Sequence, residues 1–217
     1  MQKINGIIFD LDGTILDTIY DIADSANKTL EKLGFPKHNY DEYKKMLGNG
    51  FRNLMINSLP QGIEENIISN AIEIFTKEYE KNYMNKTKPF QDIEYILNEL
   101  QNKEVKMAVN SNKKDYFTKK LVDKFFSDIN FVRVYGDREG KKRKPHPETS
   151  LEIAEAMKLS PGEIIYIGDS EVDVLTAKNA NMKSGIVTWG YRDLKDLEKF
   201  DVDYIFYNPK DILNIIE

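Results

Sequence analysis

The sequence predicts an α/β fold, a doubly wound parallel sheet carrying an inserted helical domain, and three observations lead to it. Residues 7–9 form an apolar run with no alternation, as expected of a strand covered on both faces of a parallel sheet. Beyond Pro89, short apolar runs alternate with amphipathic helical patterns, which implies a parallel sheet with helices on both faces. Between these parts, residues 17–84 show helical periodicity and no convincing strand.

In the helical stretch, Ile19, Ile22, Ala23, Ala26 and Leu30 recur at helical spacing, and Gly34 and Pro36 close that helix. Two short helices, 40–47 and 51–58, are split by Gly48-Asn49-Gly50. After Pro60-Gln61-Gly62 a long helix covers 64–83, with Ile67, Ile68, Ala71, Ile74, Phe75 and Tyr79 on one stripe. Next come helix 92–102, strand 105–109, helix 114–126, strand 129–135, helix 147–159 and strand 164–167. Helix 171–179, strand 184–188, strand 204–206 and a terminal helix at 210–216 complete the chain. The first strand has to join the later sheet. The expected organisation is therefore a Rossmann-like core of residues 1–16 and 86–217, with a helical domain of residues 17–85 inserted in it.

Composition narrows the chemistry. At 217 residues and 41% hydrophobic, the chain can bury a full core without a disulfide or a structural metal. It has no cysteine, which removes thiol catalysis and thiolate metal sites, and only His38 and His146 as histidines. Any metal would be held by oxygen ligands, which favours a hard cation such as Mg2+. A net charge of -5, from 31 basic and 36 acidic residues, lacks the basic face that nonspecific nucleic-acid binding needs. No run reaches membrane-spanning length and no cleavage-site pattern opens the chain. The expectation is a cytoplasmic protein that binds neither nucleic acid nor membrane, as a monomer or a homodimer.

Reactive residues follow the apolar strands. Asp10 and Asp12 follow the first, with Gly13 and Thr14 behind them. Asn110-Ser111-Asn112-Lys113 follows the second. The basic run 140–144 precedes Pro145-His146-Pro147, and Gly168-Asp169-Ser170-Glu171-Val172-Asp173 follows Ile167. In a doubly wound sheet these strand ends share one edge, where ligands bind. Several carboxylates there suit a magnesium site, and a hydroxyl, backbone amides and a lysine suit a phosphate. Each piece has a plainer reading: Ser111-Asn112 as a helix-capping turn, Lys144 as a solvated loop residue, and Asp169 and Asp173 as helix-start acids. Their conjunction in this order favours the functional reading.

The chain resembles the haloacid dehalogenase superfamily of phosphohydrolases. The resemblance rests on FDLDGT at 9–14, Ser111 after an apolar strand, Lys144 in KPHP, and GDSEVD at 168–173. LGNGF at 47–51, KPHPE at 144–148 and TWGYR at 188–192 are most similar to the phosphoglycolate phosphatases within it. The resemblance implies a helical cap inserted in a Rossmannoid core and a magnesium-dependent phosphomonoester hydrolase working on a small phosphorylated metabolite. It implies Asp10 as nucleophile and Asp12 as general acid and base. Ser111, Asn112 and Lys144 would bind the phosphoryl group. The metal would be held by Asp10, Asp12 through its carbonyl, and Asp169, with Asp173 orienting or joining that shell. Gly48, Asn49 and Gly50 would approach the substrate from the cap, and Arg52 would pair with a substrate carboxylate.

Alternative readings are a pyrophosphatase, a phosphomutase similar to β-phosphoglucomutase, and a non-catalytic phosphate-binding protein on the same fold. A signalling receiver shares an acid cluster, a hydroxyl and a lysine. It has no place for an insertion this long or for the fourth acidic motif.

Overall fold

A computed structural model describes residues 3–216. Among them, six strands form one sheet in the order β5-β4-β1-β6-β7-β8, with every pair parallel. The strands are β1 (Gly6–Phe9), β4 (Lys106–Lys114), β5 (Phe131–Asp137), β6 (Ile164–Gly168), β7 (Lys183–Val187) and β8 (Tyr204–Phe206). β1 lies between β4 and β6, so the chain winds outward from it in both directions and its carboxyl end is the switch point.

The unbroken apolar run of β1 reflects two covered faces. Ile7 and Phe9 join a core cluster with Ile96 and Leu97 of α5 (Ile93–Asn102), Leu121 of α6 (Asp115–Phe125) and Ile212. Ile8 points the other way, into a cluster with Ile153 and Met157 of α7 (Glu148–Met157) and Ala177 of α8 (Glu171–Asn179). Successive side chains of a strand point to opposite faces, so a strand buried on both must be apolar throughout. Burying each such side chain contributes about 1.5–3 kcal/mol.

Between β1 and the rest stand α1 (Ile19–Leu33), α2 (Tyr40–Met46), α3 (Gly50–Ser58) and α4 (Glu65–Asn82). Their apolar stripes meet in a cluster that includes Ile22, Leu30, Tyr43, Leu54, Phe75 and Tyr79. Phe117 of α6 and Tyr191 complete it from the sheet side, so the helical unit shares its core with the body. The ring of Tyr79 meets that of Phe117 edge-on at 5.1 Å.

The crossing between the two parts holds a feature that periodicity missed. β2 (Leu16–Asp17) and β3 (Lys88–Pro89) pair antiparallel over two residues, too short a run to leave a periodic signal. Asp21, 1% exposed, braces this crossing by accepting from the amides of Lys86 (2.9 Å) and Thr87 (2.8 Å) and from the Thr87 hydroxyl (2.8 Å). Other differences are of extent. The chain stays extended through Lys114 because that residue still pairs with Asp137 of β5, so α6 starts at Asp115. The terminal segment is a run of 3-10 turns, Pro209–Ile215, opened by a capping box between Asn208 and Asp211, not an α-helix. No described helix is long and apolar enough to cross a membrane.

Candidate active site

The polar residues at the carboxyl ends of β1, β4 and β6 converge on one cavity open to solvent. Gly13 makes this possible at β1. It adopts φ +84°, and a Cβ there would stand 2.2 Å from Asp169 Oδ2, so only glycine lets the β1 loop pass the Asp169 carboxylate. Gly168 has the same role toward Asp173, with a virtual Cβ 2.2 Å from its carboxyl carbon.

Asp10, Asp169 and Asp173 are all buried, and each offers a carboxylate oxygen within 4.8 Å of the others. Lys144 enters from the far side. Its Nζ lies 2.8 Å from Asp10 Oδ1 and donates to Asp173 Oδ1 at 2.7 Å. The approach to Asp10 falls outside hydrogen-bond geometry, so Asp10 Oδ1 keeps an unfilled acceptor. The other oxygen of Asp173 caps α8 by accepting from the Ser170 amide (3.1 Å) and hydroxyl (2.6 Å). Asp169 Oδ2 accepts from the Tyr191 amide at 2.7 Å.

Three buried acids around one ammonium leave excess negative charge. Burial pushes the Asp10 carboxyl up to about 7, against the pull of Lys144, with Asp173 and Asp12 adding to the rise. Asp169 is raised for the same reasons, first burial and then Asp173 and Asp10. Burial opposes the charge on Lys144, but Asp10 and Asp173 overcome it and hold the ammonium well above its usual range. An all-oxygen donor set with surplus charge and an unfilled Asp10 oxygen fits a hard divalent cation.

Asp12 stands apart from this trio. Lys113 Nζ lies 2.9 Å from both of its carboxylate oxygens, and the Thr18 hydroxyl donates to Oδ1 at 2.7 Å. Its carboxylate is therefore not part of the acid cluster; of the expected metal-binding acids, Asp10, Asp169 and Asp173 come together. Ser111 lines the cavity and accepts from the Lys113 amide at 3.2 Å. Asn112 Oδ1 accepts from the Lys144 amide (3.0 Å), and its Nδ2 donates to the carbonyls of Lys144 (3.2 Å) and Gly48 (2.9 Å). The Asn112 side chain thus fixes the Lys144 segment and ties it to the helical unit.

From the helical unit, Gly48 and Gly50 line the cavity, while Asn49 between them does not. Arg52 is not brought to the site. It is exposed and pairs with Glu65 at 2.7 Å, because the first turn of α3 turns position 52 outward while Phe51 faces in. We expect Arg52→Ala to change kcat/KM by less than about twofold on any phosphate ester, as for an exposed ion pair. A loss confined to carboxylated substrates, measured in steady-state assays, would contradict this.

Two cations that the motif pattern left without a role line the cavity as well: Lys113 and Arg192. The signal for Lys113 was its place two residues after Ser111 in extended backbone, which puts both on one side of the strand. Arg192 donates to the carbonyls of Leu47 (2.6 Å) and Lys44 and pairs with Glu171. These are carbonyls at the end of α2, which an intrahelical bond cannot satisfy. No local pattern could foretell a contact made 145 residues away.

Comparison with known proteins is consistent with this geometry. A family profile described as haloacid dehalogenase-like hydrolase matches residues 7–187. The chain belongs to the haloacid dehalogenase-like hydrolases. Among members, a phosphoglycolate phosphatase of Aquifex aeolicus is 32% identical over 97% of this chain and 96% of its own. One from Psychrobacter arcticus is also 32% identical, over 92% and 94%. The crystal structure of a Lactobacillus delbrueckii subsp. bulgaricus protein, proposed to be a phosphoglycolate phosphatase, superposes with a TM-score of 0.93. Its identity is 28%, with 99% of both chains covered. As a haloacid dehalogenase-like hydrolase the chain is an enzyme, and its acid cluster lies at the switch point of the shared fold.

Proposed function

We propose that this phosphatase is magnesium-dependent, forms an aspartyl-phosphate on Asp10, and hydrolyses a small carboxylated phosphomonoester of the phosphoglycolate type. The observation that carries the reading is the trio Asp10, Asp169 and Asp173, with Lys144 paired to Asp10 and Asp173, and a second acid, Asp12, held apart from it. Separate environments allow one carboxylate to act as nucleophile and the other to move protons.

Asp10 attacks phosphorus in line as the ester P–O bond breaks, and Asp12 delivers a proton to the departing oxygen. Water then cleaves the aspartyl-phosphate, and Asp12 takes up its proton. Ser111, the amide of Asn112 and Lys144 hold the transferring oxygens. Asp10, Asp169, Asp173 and the carbonyl of Asp12 would hold the cation. When bound, a divalent cation supplies charge neutralisation between these acids and the phosphoryl oxygens. Residues 17–85 act as a cap over a core of 1–16 and 86–217, and the loop Gly48-Asn49-Gly50 closes the cavity. The first two relatives and their near full-length coverage support the substrate class.

The test is a steady-state panel with magnesium, setting phosphoglycolate beside pyrophosphate, hexose 1- and 6-phosphates and an aryl phosphate. The expected result is highest kcat/KM for phosphoglycolate and loss of all turnover in excess chelator. A preference for pyrophosphate, or full rate with chelator present, would overturn the substrate or the metal assignment respectively.

A further inference from the structure

Resting on the phosphoglycolate reading, we infer that Lys113 binds the substrate carboxylate, and that this contact is what releases Asp12 for proton transfer. In phosphoglycolate the carboxylate carbon is two covalent bonds from the ester oxygen. Asp12 has to reach that oxygen to protonate it. The cation that reads the carboxylate must therefore stand beside Asp12.

Lys113 is the cation that does so. Its Nζ is 2.9 Å from both Asp12 oxygens, and its side chain is 0% exposed. Two of its three N–H groups are taken by Asp12, and the third has no acceptor among the described residues. The rings of Tyr79 and Phe51, 4.9 and 5.9 Å away, favour the ammonium and close off water.

The other cations at the cavity are engaged. Lys144 serves Asp10 and Asp173, and Arg192 serves the α2 carbonyls and Glu171. The helical unit supplies apolar side chains, Ile22, Leu47, Phe51 and Leu54, together with its glycines, and among the described residues no cationic side chain.

With substrate present, the substrate carboxylate takes the place of one Asp12 oxygen on Lys113, and Asp12 in its protonated form turns that oxygen's O–H to the ester oxygen, which takes the proton as the P–O bond breaks. One charged hydrogen bond is exchanged for another, so the exchange is nearly balanced. A substrate without the carboxylate offers no replacement and leaves Asp12 tied down.

The experiment compares phosphoglycolate with 2-hydroxyethyl phosphate, which has the same chain but no carboxylate, in the wild type and in Lys113→Met with magnesium present. We expect the wild type to prefer phosphoglycolate in kcat/KM by about 100-fold, and the variant to lose that preference, as for truncating one partner of a buried charge pair. If Lys113 only orients Asp12, both substrates fall together and the ratio survives, which overturns the inference. A wild type without preference overturns the substrate reading itself, before any variant is considered. Should Lys113→Met fail to fold by circular dichroism, Lys113→Gln carries the same comparison, since it removes the charge that pairs with the substrate carboxylate while filling the site with a polar side chain.

Discussion

Asp10→Asn is expected to lower turnover by roughly 10⁴-fold or more while leaving the fold in place, because nucleophile replacements in enzymes cost this much. The position is buried, and asparagine keeps its volume and its place at the end of β1. What is lost is the oxygen nucleophile beside Lys144, 2.8 Å away. Asp173 remains to pair with that lysine at 2.7 Å, so we expect a stability change within about 1 kcal/mol. Rates with an aryl phosphate, whose leaving group needs little protonation, isolate the nucleophilic step from the work of Asp12. Residual activity above about 1% of wild type in a deamidation-free preparation would remove Asp10 from this role.

Lys144→Met is expected to damage both stability and rate. The ammonium is 3% exposed in its side chain and stands between two buried carboxylates, Asp10 and Asp173. Removing it leaves both without a cation, and breaking a buried pair in this way costs about 3–5 kcal/mol. The helical cap of α8 depends on Asp173 as well, so the loss reaches the Ser170 turn. Denaturant unfolding at neutral pH measures the effect. Added magnesium should recover part of the lost stability in the variant, because a ligand that binds only the folded state stabilises it. A change below about 1 kcal/mol would show that Asp10 and Asp173 are not held as buried charges.

Much of this site was legible because its parts are local. An apolar run ending in Asp10, and another ending in Asp169, announce strand ends by composition alone. A doubly wound sheet then places strand ends together without further information. Asp10 and Asp169 follow strands in this way, and the helices α1 to α4 show as stripes that repeat over many turns; Lys144, in a loop past β5, and Asp173, inside α8, were marked only by the motif resemblance. The two-residue pair Leu16–Asp17 with Lys88–Pro89 left no mark, since two residues hold no period.

The assignments that sequence could not make concern direction and partnership. Arg52 and Phe51 are neighbours in one helix, and the turn of α3 decides which faces the cavity. Asp12 and Asp10 are two residues apart, yet their carboxylates have different partners: Lys113 from β4, and Lys144 from the loop between β5 and α7. The sequence by itself determined which chemical groups follow the strands of the sheet, because strand positions and the polar residues behind them are written in local patterns. Only the tertiary structure decided which charge meets which. Those pairings depend on side-chain direction and on contacts spanning more than a hundred residues, such as Lys113 with Asp12 and Arg192 with Leu47. No local periodicity encodes them.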